Sequence, residues 1–323
     1  MGSDRAASKL QLGLMMPTWT TGPLRWQEVL GIAKEAEAAG FDALWVTDHL
    51  LLPSTNAELR KRAGASIHPD AIAEPEGYLE CFTILTALAT EIPRLQLGTL
   101  VACTGYRNPF LLAKIADTLD EVSGGRLVLG LGSGDSAGEH ETMGLPTDSP
   151  VSRFEEALQI IRGLFREGEL DFSGRFYSVR EAKLVPRGPR PEGPPILIGT
   201  LNPKPRMLRL VTQYADVWNG WQGYTDASPE LARIRAEQVL EACREHARDP
   251  STLVRTSALR VNIPGSGYRP APTERPLSGS PEEMAEVLRR HAELGTTQVQ
   301  VALTMGGREG VRAFGPVIRA LRG

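Results

Sequence analysis

The chain has 323 residues, of which 23% are charged and 41% are hydrophobic, and its formal net charge is −3. This balance is typical of an ordinary globular protein and gives no electrostatic reason to expect a nucleic-acid partner. No uninterrupted apolar run approaches the roughly 20 residues of a membrane span, so no membrane partner is expected either. Residues 1–8 lack the apolar core of a secretory signal, and the three scattered cysteines suit a reducing compartment, so we expect a cytoplasmic protein.

Short apolar runs alternate with longer segments of helical periodicity along the whole chain. The first helical segment carries its apolar residues on one face and is predicted to end at Gly40. A later helix is predicted to begin at Ser280, with Glu283 as the capping-box acid. The predicted strands are residues 10–14, 43–46, 95–100, 127–131, 195–198, 215–218, 253–261 and 298–303.

Eight strand-then-helix units in this length indicate an α/β protein of the (β/α)8 TIM-barrel type. A doubly wound sheet usually has fewer strands and a visible break into two halves. Insertions are expected at residues 51–78 after the second strand, 169–194 before the fifth and 262–279 after the seventh, as binding loops or surface decoration. The second insertion contains a predicted hairpin that turns at Ser173 and Gly174. We expect one domain over residues 1–323.

Asp48 and His49 directly follow the second predicted strand. Active sites of TIM barrels lie at the carboxyl ends of the strands, so both side chains are candidates for the site. Imidazole is the side chain most easily tuned for proton transfer near neutral pH. The alternative is an aspartate that caps the next loop beside a histidine bound to a backbone carbonyl. The position at a barrel strand end favours the functional interpretation.

Glycines lie at the end of the fourth strand and directly after it, at positions 130, 132 and 134, just before Asp135. They do not have the G-x-G-x-x-G spacing of a dinucleotide-binding turn. Glycine lacks Cβ, so the pattern favours close approach of the backbone to a flat ligand, with a plain strand-end turn as the alternative.

Residues 199–202 follow the fifth strand and run into a predicted helix near Pro203. Backbone amides at a helix N-terminus attract anions, and Lys204 and Arg206 add positive charge. The segment is therefore a candidate phosphate site. The five histidines show no metal-ligand spacing, so no metal is expected, and a site assembled from distant strand ends is the alternative.

Several motifs resemble those of the luciferase-like oxidoreductases. Residues 41–49 are similar to the second strand of that family, ending in Asp48 and His49. Further matches follow in the same order along the chain, at residues 97–101, 107–109, 112–114, 116–120, 123–126, 129–134, 194–199 and 214–219.

This family contains enzymes that use the deazaflavin coenzyme F-420 and monooxygenases that use FMN. The endings of the second and fourth strands look more like the F-420 branch. The resemblance therefore implies hydride transfer between F-420 and a small or medium organic substrate. One alternative is an FMN-dependent monooxygenase supplied with reduced flavin by a partner reductase. A second is a non-catalytic barrel that binds a flavin.

The resemblance also implies roles for individual residues and a homodimer. His49 would donate or accept the proton, Asp48 would hydrogen-bond the cofactor, and Asp135 stands where some relatives carry a catalytic glutamate. Leu100 and Val101 would form a bulge with a non-proline cis peptide against one face of the ring. The remaining residues implied in cofactor binding are Cys103, Ser133, Gly134, Gly199, Thr200, Asn202, Arg206 and Trp221.

Overall fold

The structure is a computed structural model that describes residues 10–17, 25–50, 77–201, 203–223 and 225–323. Its strands are β1 (Gln11–Met15), β2 (Ala43–Val46), β3 (Gln96–Thr99), β4 (Ala102–Cys103), β5 (Leu127–Gly132), β6 (Glu169–Ser173), β7 (Ser178–Lys183), β8 (Ile196–Thr200), β9 (Val217–Trp221), β10 (Val254–Val261) and β11 (Gln298–Leu303). Its α-helices are α1 (Trp26–Ala39), α2 (Cys81–Glu91), α3 (Pro109–Ser123), α4 (Ala137–Thr142), α5 (Pro150–Glu167), α6 (Pro205–Tyr214), α7 (Pro229–Glu245), α8 (Pro281–Glu293) and α9 (Gly307–Arg322).

Parallel pairing closes eight of these strands into a ring. The order around it is β1, β2, β3, β5, β8, β9, β10 and β11, and β11 pairs back onto β1. The short strand β4 pairs with β5 at the carboxyl end of the ring. All eight predicted strands lie in this ring, which confirms the predicted TIM barrel. In the described part of the chain, no helix is long and apolar enough to cross a membrane.

The two predicted helix ends, at Gly40 and Ser280, are confirmed. Helix α1 ends at Gly40, which adopts the left-handed conformation with φ of 95°. Helix α8 begins after Ser280, whose side chain accepts from the backbone of Glu283 while the glutamate side chain caps in return. Both ends were specified by local sequence alone.

The predicted hairpin is also present within the second insertion. Strands β6 and β7 pair antiparallel, and the backbone N–H of Gly174 donates to the carbonyl of Tyr177 at 2.9 Å. The third insertion, residues 262–279, returns to the barrel where Leu277 pairs with Val261. Residues 51–76 of the first insertion lie outside the described residues.

The barrel interior is packed around Trp45, which is 2% exposed and donates from its indole N–H to the Gln298 amide oxygen at 2.9 Å. Two glycines make room for this ring. A Cβ added to Gly13 would lie 2.5 Å from the indole, and one added to Gly98 would lie 2.4 Å from it. The interior is therefore a filled core below the carboxyl ends of the strands.

Gly98→Ala is expected to lower the free energy of unfolding by about 1–3 kcal/mol, the usual cost of overpacking a core. Gly31→Ala is the matched control, because its new Cβ would meet only the Arg308 side chain, at 3.4 Å. The control removes a glycine from the interior of α1 and should be neutral or stabilising by up to ~1 kcal/mol. Urea denaturation measures both, and equal stability of the two variants would contradict the described packing.

Candidate active site

The carboxyl ends of the barrel strands gather most of the residues singled out in the sequence. Asp48 and His49 follow β2, and Ser133, Gly134 and Asp135 follow β5. The peptide bond between Leu100 and Val101, after β3, is cis, as the family resemblance implies. This end of the barrel is the candidate active site.

Asp48 is 3% exposed and is bound by protein groups on all sides. Arg107 donates two hydrogen bonds to it, Nη1 to Oδ2 at 2.7 Å and Nη2 to Oδ1 at 3.0 Å. The backbone N–H of Cys103 donates to Oδ2 at 3.0 Å, and the Cys81 thiol donates to Oδ1 at 3.1 Å. Four donors match the acceptor capacity of a carboxylate, so Asp48 joins β2 to β4 and α2. Its predicted bond to a cofactor stays a prediction.

Arg107 carries the positive charge that pairs with two carboxylates at this end of the barrel, those of Asp48 and Glu80. Beside Asp48 it donates to the Glu80 carboxylate at 2.6 Å, and its guanidinium lies 4.8 Å from the centre of the Phe82 ring. Burial lowers the pKa of Arg107, but the hydrogen bond and charge of Asp48 more than offset this, so the pKa lies well above its usual range. The guanidinium is therefore a permanent charge in the site.

Among the described residues, Asp48, Glu80 and Cys81 form a group whose potential ligand atoms all lie within 4.8 Å of one another. Arg107 contacts all three side chains. Burial raises the pKa of the Cys81 thiol well above its usual value, and the charge of Asp48 raises it further. A metal ligand must be the thiolate, so we interpret this group as an ion-pair network around Arg107.

His49 has a side chain that is 25% exposed, and its ring contacts a buried carboxylate. Nδ1 lies 2.8 Å from Oε2 of Glu139, and the ring of Tyr78 is 5.3 Å away between centroids. Burial acts to lower the pKa of His49, but the hydrogen bond to Glu139 and the nearby carboxylates outweigh it. The pKa of His49 is therefore raised above its ordinary value.

Glu139 was missed by sequence reasoning. It is 2% exposed and lies in α4. The pattern Ser136-x-x-Glu139 is typical of a helix cap, and the Glu139 N–H does lie 3.4 Å from the Ser136 hydroxyl. Its side chain instead binds His49, the backbone N–H of Leu50 and the hydroxyl of Tyr106. The Ser136-x-x-Glu139 pattern predicts a helix start and gives no sign of these long-range contacts.

The residues after β5 form a tight turn between that strand and α4. Gly134 has φ of 81°, and a Cβ there would lie 2.7 Å from the Cys103 sulfur, so glycine is required at this turn. Ser133 is half-buried and Asp135 is exposed. The charge of Asp135 is one of those that raise the pKa of His49. Direct cofactor contacts of Ser133 and Gly134 stay predictions.

An apolar cluster inside the barrel reaches the carboxyl ends of the strands. Leu100 belongs to the cluster inside the barrel, with Val101 and Trp221 packed against it. A Cβ on Gly132 would lie 2.8 Å from a methyl group of Val101, and one on Gly199 would lie 3.5 Å from the other methyl group. The two glycines thus leave space at the mouth of the barrel for the Val101 side chain.

Cys103 contributes its backbone to the site and keeps its thiol protonated. Burial raises the pKa of the Cys103 thiol to about 12. The sulfur lies 3.8 Å from Nε2 of His140, and His140 in turn stacks at a tilt on Tyr106. The thiol is therefore a packing group in this structure.

The predicted phosphate segment follows β8, and two of its predicted cofactor ligands bind other protein side chains in this structure. The Thr200 hydroxyl accepts from the indole N–H of Trp218 at 2.8 Å. Arg206 lies on the surface in an ion pair with Glu155, Nη2 to Oε2 at 2.8 Å. Asn202 lies outside the described residues. The predictions that these three residues bind the cofactor stay predictions.

A second residue missed from the sequence is Arg260 in β10. Thr256 binds the inward-facing Asn219, and Ala258 packs in the interior cluster, so period-two alternation directs Arg260 inward as well. Its guanidinium donates to the Tyr268 hydroxyl at 2.8 Å and lies 3.3 Å from the Glu274 carboxylate. The available signal was its position two residues after Ala258, in a predicted strand that also carries Arg255 in the opposite phase of the alternation.

Residues 12–264 match the family model described as luciferase-like monooxygenase. The chain is 33% identical over 227 residues to a phthiodiolone/phenolphthiodiolone dimycocerosates ketoreductase of a Mycobacterium species, 68% of this chain and 57% of that protein. It is 31% identical over 193 residues to the 5,10-methylenetetrahydromethanopterin reductase of Archaeoglobus fulgidus, 60% of this chain and 48% of that protein. The chain thus spans about half the length of these curated relatives.

Two solved structures share the fold. An F-420-dependent secondary alcohol dehydrogenase with an F-420–acetone adduct aligns with a TM-score of 0.76 and 19% identity, covering 98% of this chain and 100% of that one. A monooxygenase from Streptomyces bottropensis aligns with a TM-score of 0.75 and 17% identity, covering 97% and 99%. The family model covers most of the barrel, and the strand-end residues lie where the motifs indicated. The chain belongs to the luciferase-like monooxygenase family.

Proposed function

We propose that this protein is an oxidoreductase that transfers a hydride between coenzyme F-420 and a small or medium organic substrate, with His49 as the proton donor or acceptor. The observation that carries the proposal is the His49–Glu139 pair at the mouth of the barrel, 2.8 Å apart. It provides one titratable group, partly open to solvent, next to an apolar surface. Two curated relatives are named as a ketoreductase and a reductase, which supports a redox reaction.

The residues present fit a flat, mostly apolar ring. The half-buried Val101 and Trp221 offer apolar surface over the buried Leu100, and Gly132 and Gly199 make room for the Val101 side chain. A deazaflavin, when bound, supplies a hydride from carbon and reacts poorly with oxygen. The work left to the protein is to hold ring and substrate face to face, exclude water and manage one proton.

His49 is suited to that proton. An unperturbed histidine has a pKa of about 6.5. The pKa of His49 is raised from there, so the protonated fraction near neutral pH is larger than for a free imidazole. In the direction of substrate reduction His49 donates to the atom that gains negative charge, and in the reverse direction it accepts the proton.

A second candidate is an FMN-dependent monooxygenase, favoured by the description of the matching family. The same apolar surface accepts an FMN ring, and the reaction then needs a partner reductase to supply reduced flavin. The side chains of the described residues suit both rings, and the resemblance of the segments after β2 and β5 to the F-420 branch is what favours F-420.

Titration of the purified protein with F-420 and with FMN, each followed by tryptophan quenching, tests the proposal. Trp221 packs against the apolar surface and should report a bound ring. We expect saturable quenching by F-420 and much weaker binding of FMN. Tight binding of FMN without a response to F-420 would replace the proposal with the monooxygenase. Binding of neither would favour a barrel with another ligand or none.

A further inference from the structure

We propose that Glu139 is the positioning residue for His49: it holds the imidazole as the Nδ1–H tautomer and thereby makes Nε2 the nitrogen that exchanges a proton in the site. The importance of this for turnover rests on the proposed function. The orientation of the ring itself does not, and it can be measured without a cofactor.

The contact between the two side chains fixes where the proton lies. Nδ1 of His49 and Oε2 of Glu139 are 2.8 Å apart. An ionised carboxylate has only acceptor sites, so Nδ1 must carry a hydrogen in this contact. Neutral His49 then has its lone pair on Nε2, and protonated His49 has its exchangeable proton there.

Glu139 is itself held rigidly. The backbone N–H of Leu50 donates to Oε1 at 2.7 Å, and the Tyr106 hydroxyl donates to Oε2 at 2.9 Å. Burial and the charge of Glu139 raise the pKa of Tyr106 far above its usual range, so the hydroxyl stays a donor. Hydrogen bonds to the charged form favour the ionised carboxylate. Because Leu50 directly follows His49, one carboxylate orients both the ring and its backbone.

Burial and the neighbouring carboxylates shift the pKa of His49 in opposite directions. Burial disfavours the imidazolium, whereas Glu139, Asp135 and Asp48 favour it. Asp48 is already paired with Arg107, and Asp135 is exposed to solvent. The aromatic ring of Tyr78 packs against the imidazole. Glu139 is thus the buried charge in direct contact, and without it burial should dominate and lower the pKa of His49.

Nitrogen-15 NMR of the histidine rings in the cofactor-free protein tests the inference. In the wild type we expect neutral His49 to be the Nδ1–H tautomer. In Glu139→Gln the pKa of His49 should fall by about one to three pH units, the usual effect of one close opposite charge. Neutral wild-type His49 with its proton on Nε2, or the same pKa in both proteins, would overturn the proposal.

Glu156→Gln is the matched control. Glu156 in α5, like Glu139, is a glutamate whose carboxylate accepts hydrogen bonds from the backbone. Its donors are the N–H groups of residues 175, 176 and 177 in the hairpin. This variant makes the same chemical change outside the site, and it should leave both the tautomer and the pKa of His49 as in the wild type. A matching fall of the His49 pKa in this control would also overturn the proposal.

The dependence of kcat/KM on pH gives a second readout with F-420 and a reducible substrate. For His49 as the acid, the high-pH limb should move to lower pH in Glu139→Gln by the same amount as in the NMR titration. Glu139→Asp keeps the charge and should restore part of the shift. If the NMR results are as expected but the protein shows no turnover with F-420, only the proposed function is contradicted. If turnover is normal but the tautomer or the pKa of His49 is not as expected, only the role of Glu139 is contradicted.

Discussion

His49→Ala is expected to reduce turnover by roughly 10²–10⁴-fold, the usual contribution of a positioned general acid, while F-420 still binds. The reason is that the ring lies at the mouth of the barrel beside an apolar surface and makes one strong protein contact, to Glu139. Its loss removes a proton carrier without removing the surface on which a cofactor ring would rest. Steady-state kinetics give the turnover, and tryptophan quenching gives the affinity for F-420.

His246→Ala serves as the control for that variant. His246 is exposed at the end of α7, where its ring bonds the carbonyl of Ala242. The substitution is the same and lies outside the described site, so turnover should stay at the wild-type value. Unchanged turnover in His49→Ala would remove His49 from the mechanism.

Arg107→Met is expected to cost about 3–5 kcal/mol of unfolding free energy, the usual effect of removing one partner of a buried ion pair. Methionine keeps most of the length of the side chain but leaves the Asp48 carboxylate, which is 3% exposed, without its counter-charge. The Asp48→Asn, Arg107→Met double variant should recover part of that loss, because no buried charge then remains unpaired. Urea denaturation with the wild type as reference measures each value.

Arg94→Met makes the same substitution in a surface ion pair. Arg94 binds Glu37, and its side chain is 70% exposed, so we expect a change within about 1 kcal/mol. The loss of unfolding free energy in Arg107→Lys should lie between those of Arg107→Met and Arg94→Met, since lysine keeps the charge but loses the paired hydrogen bonds. Equal free energies of unfolding for Arg107→Met and Arg94→Met would contradict the described buried ion-pair network around Asp48.

The fold was predictable because several barrel strands are short, nearly continuous apolar runs, as parallel strands covered on both faces require. Eight strand-then-helix units in this length leave few architectures. The ends of α1 and α8 were predictable for a different reason: the left-handed Gly40 and the Ser280–Glu283 pair act within a few residues of chain. Asp48 and His49 followed from the rule that barrel sites lie at strand ends.

The partners of these residues were not predictable, because they are far apart in sequence. His49 and Glu139 are 90 positions apart, and Asp48 and Arg107 are 59 apart. Local patterns report only caps and periodicity, and nothing in the residues around Glu139 indicates a contact with His49. The pairing of Arg206 with Glu155, which bridges two helices, was not predictable for the same reason. The role of Arg206 in phosphate binding stays a prediction. Long-range pairing is set by the closed barrel and not by neighbouring residues.

A crystal structure of the protein soaked with F-420 tests the central claim most directly. The account predicts the deazaflavin ring at the carboxyl ends of the strands, with one face on Val101 and its reacting edge beside Nε2 of His49. The ring bound elsewhere on the molecule, or bound there with His49 turned away and out of contact, would contradict it.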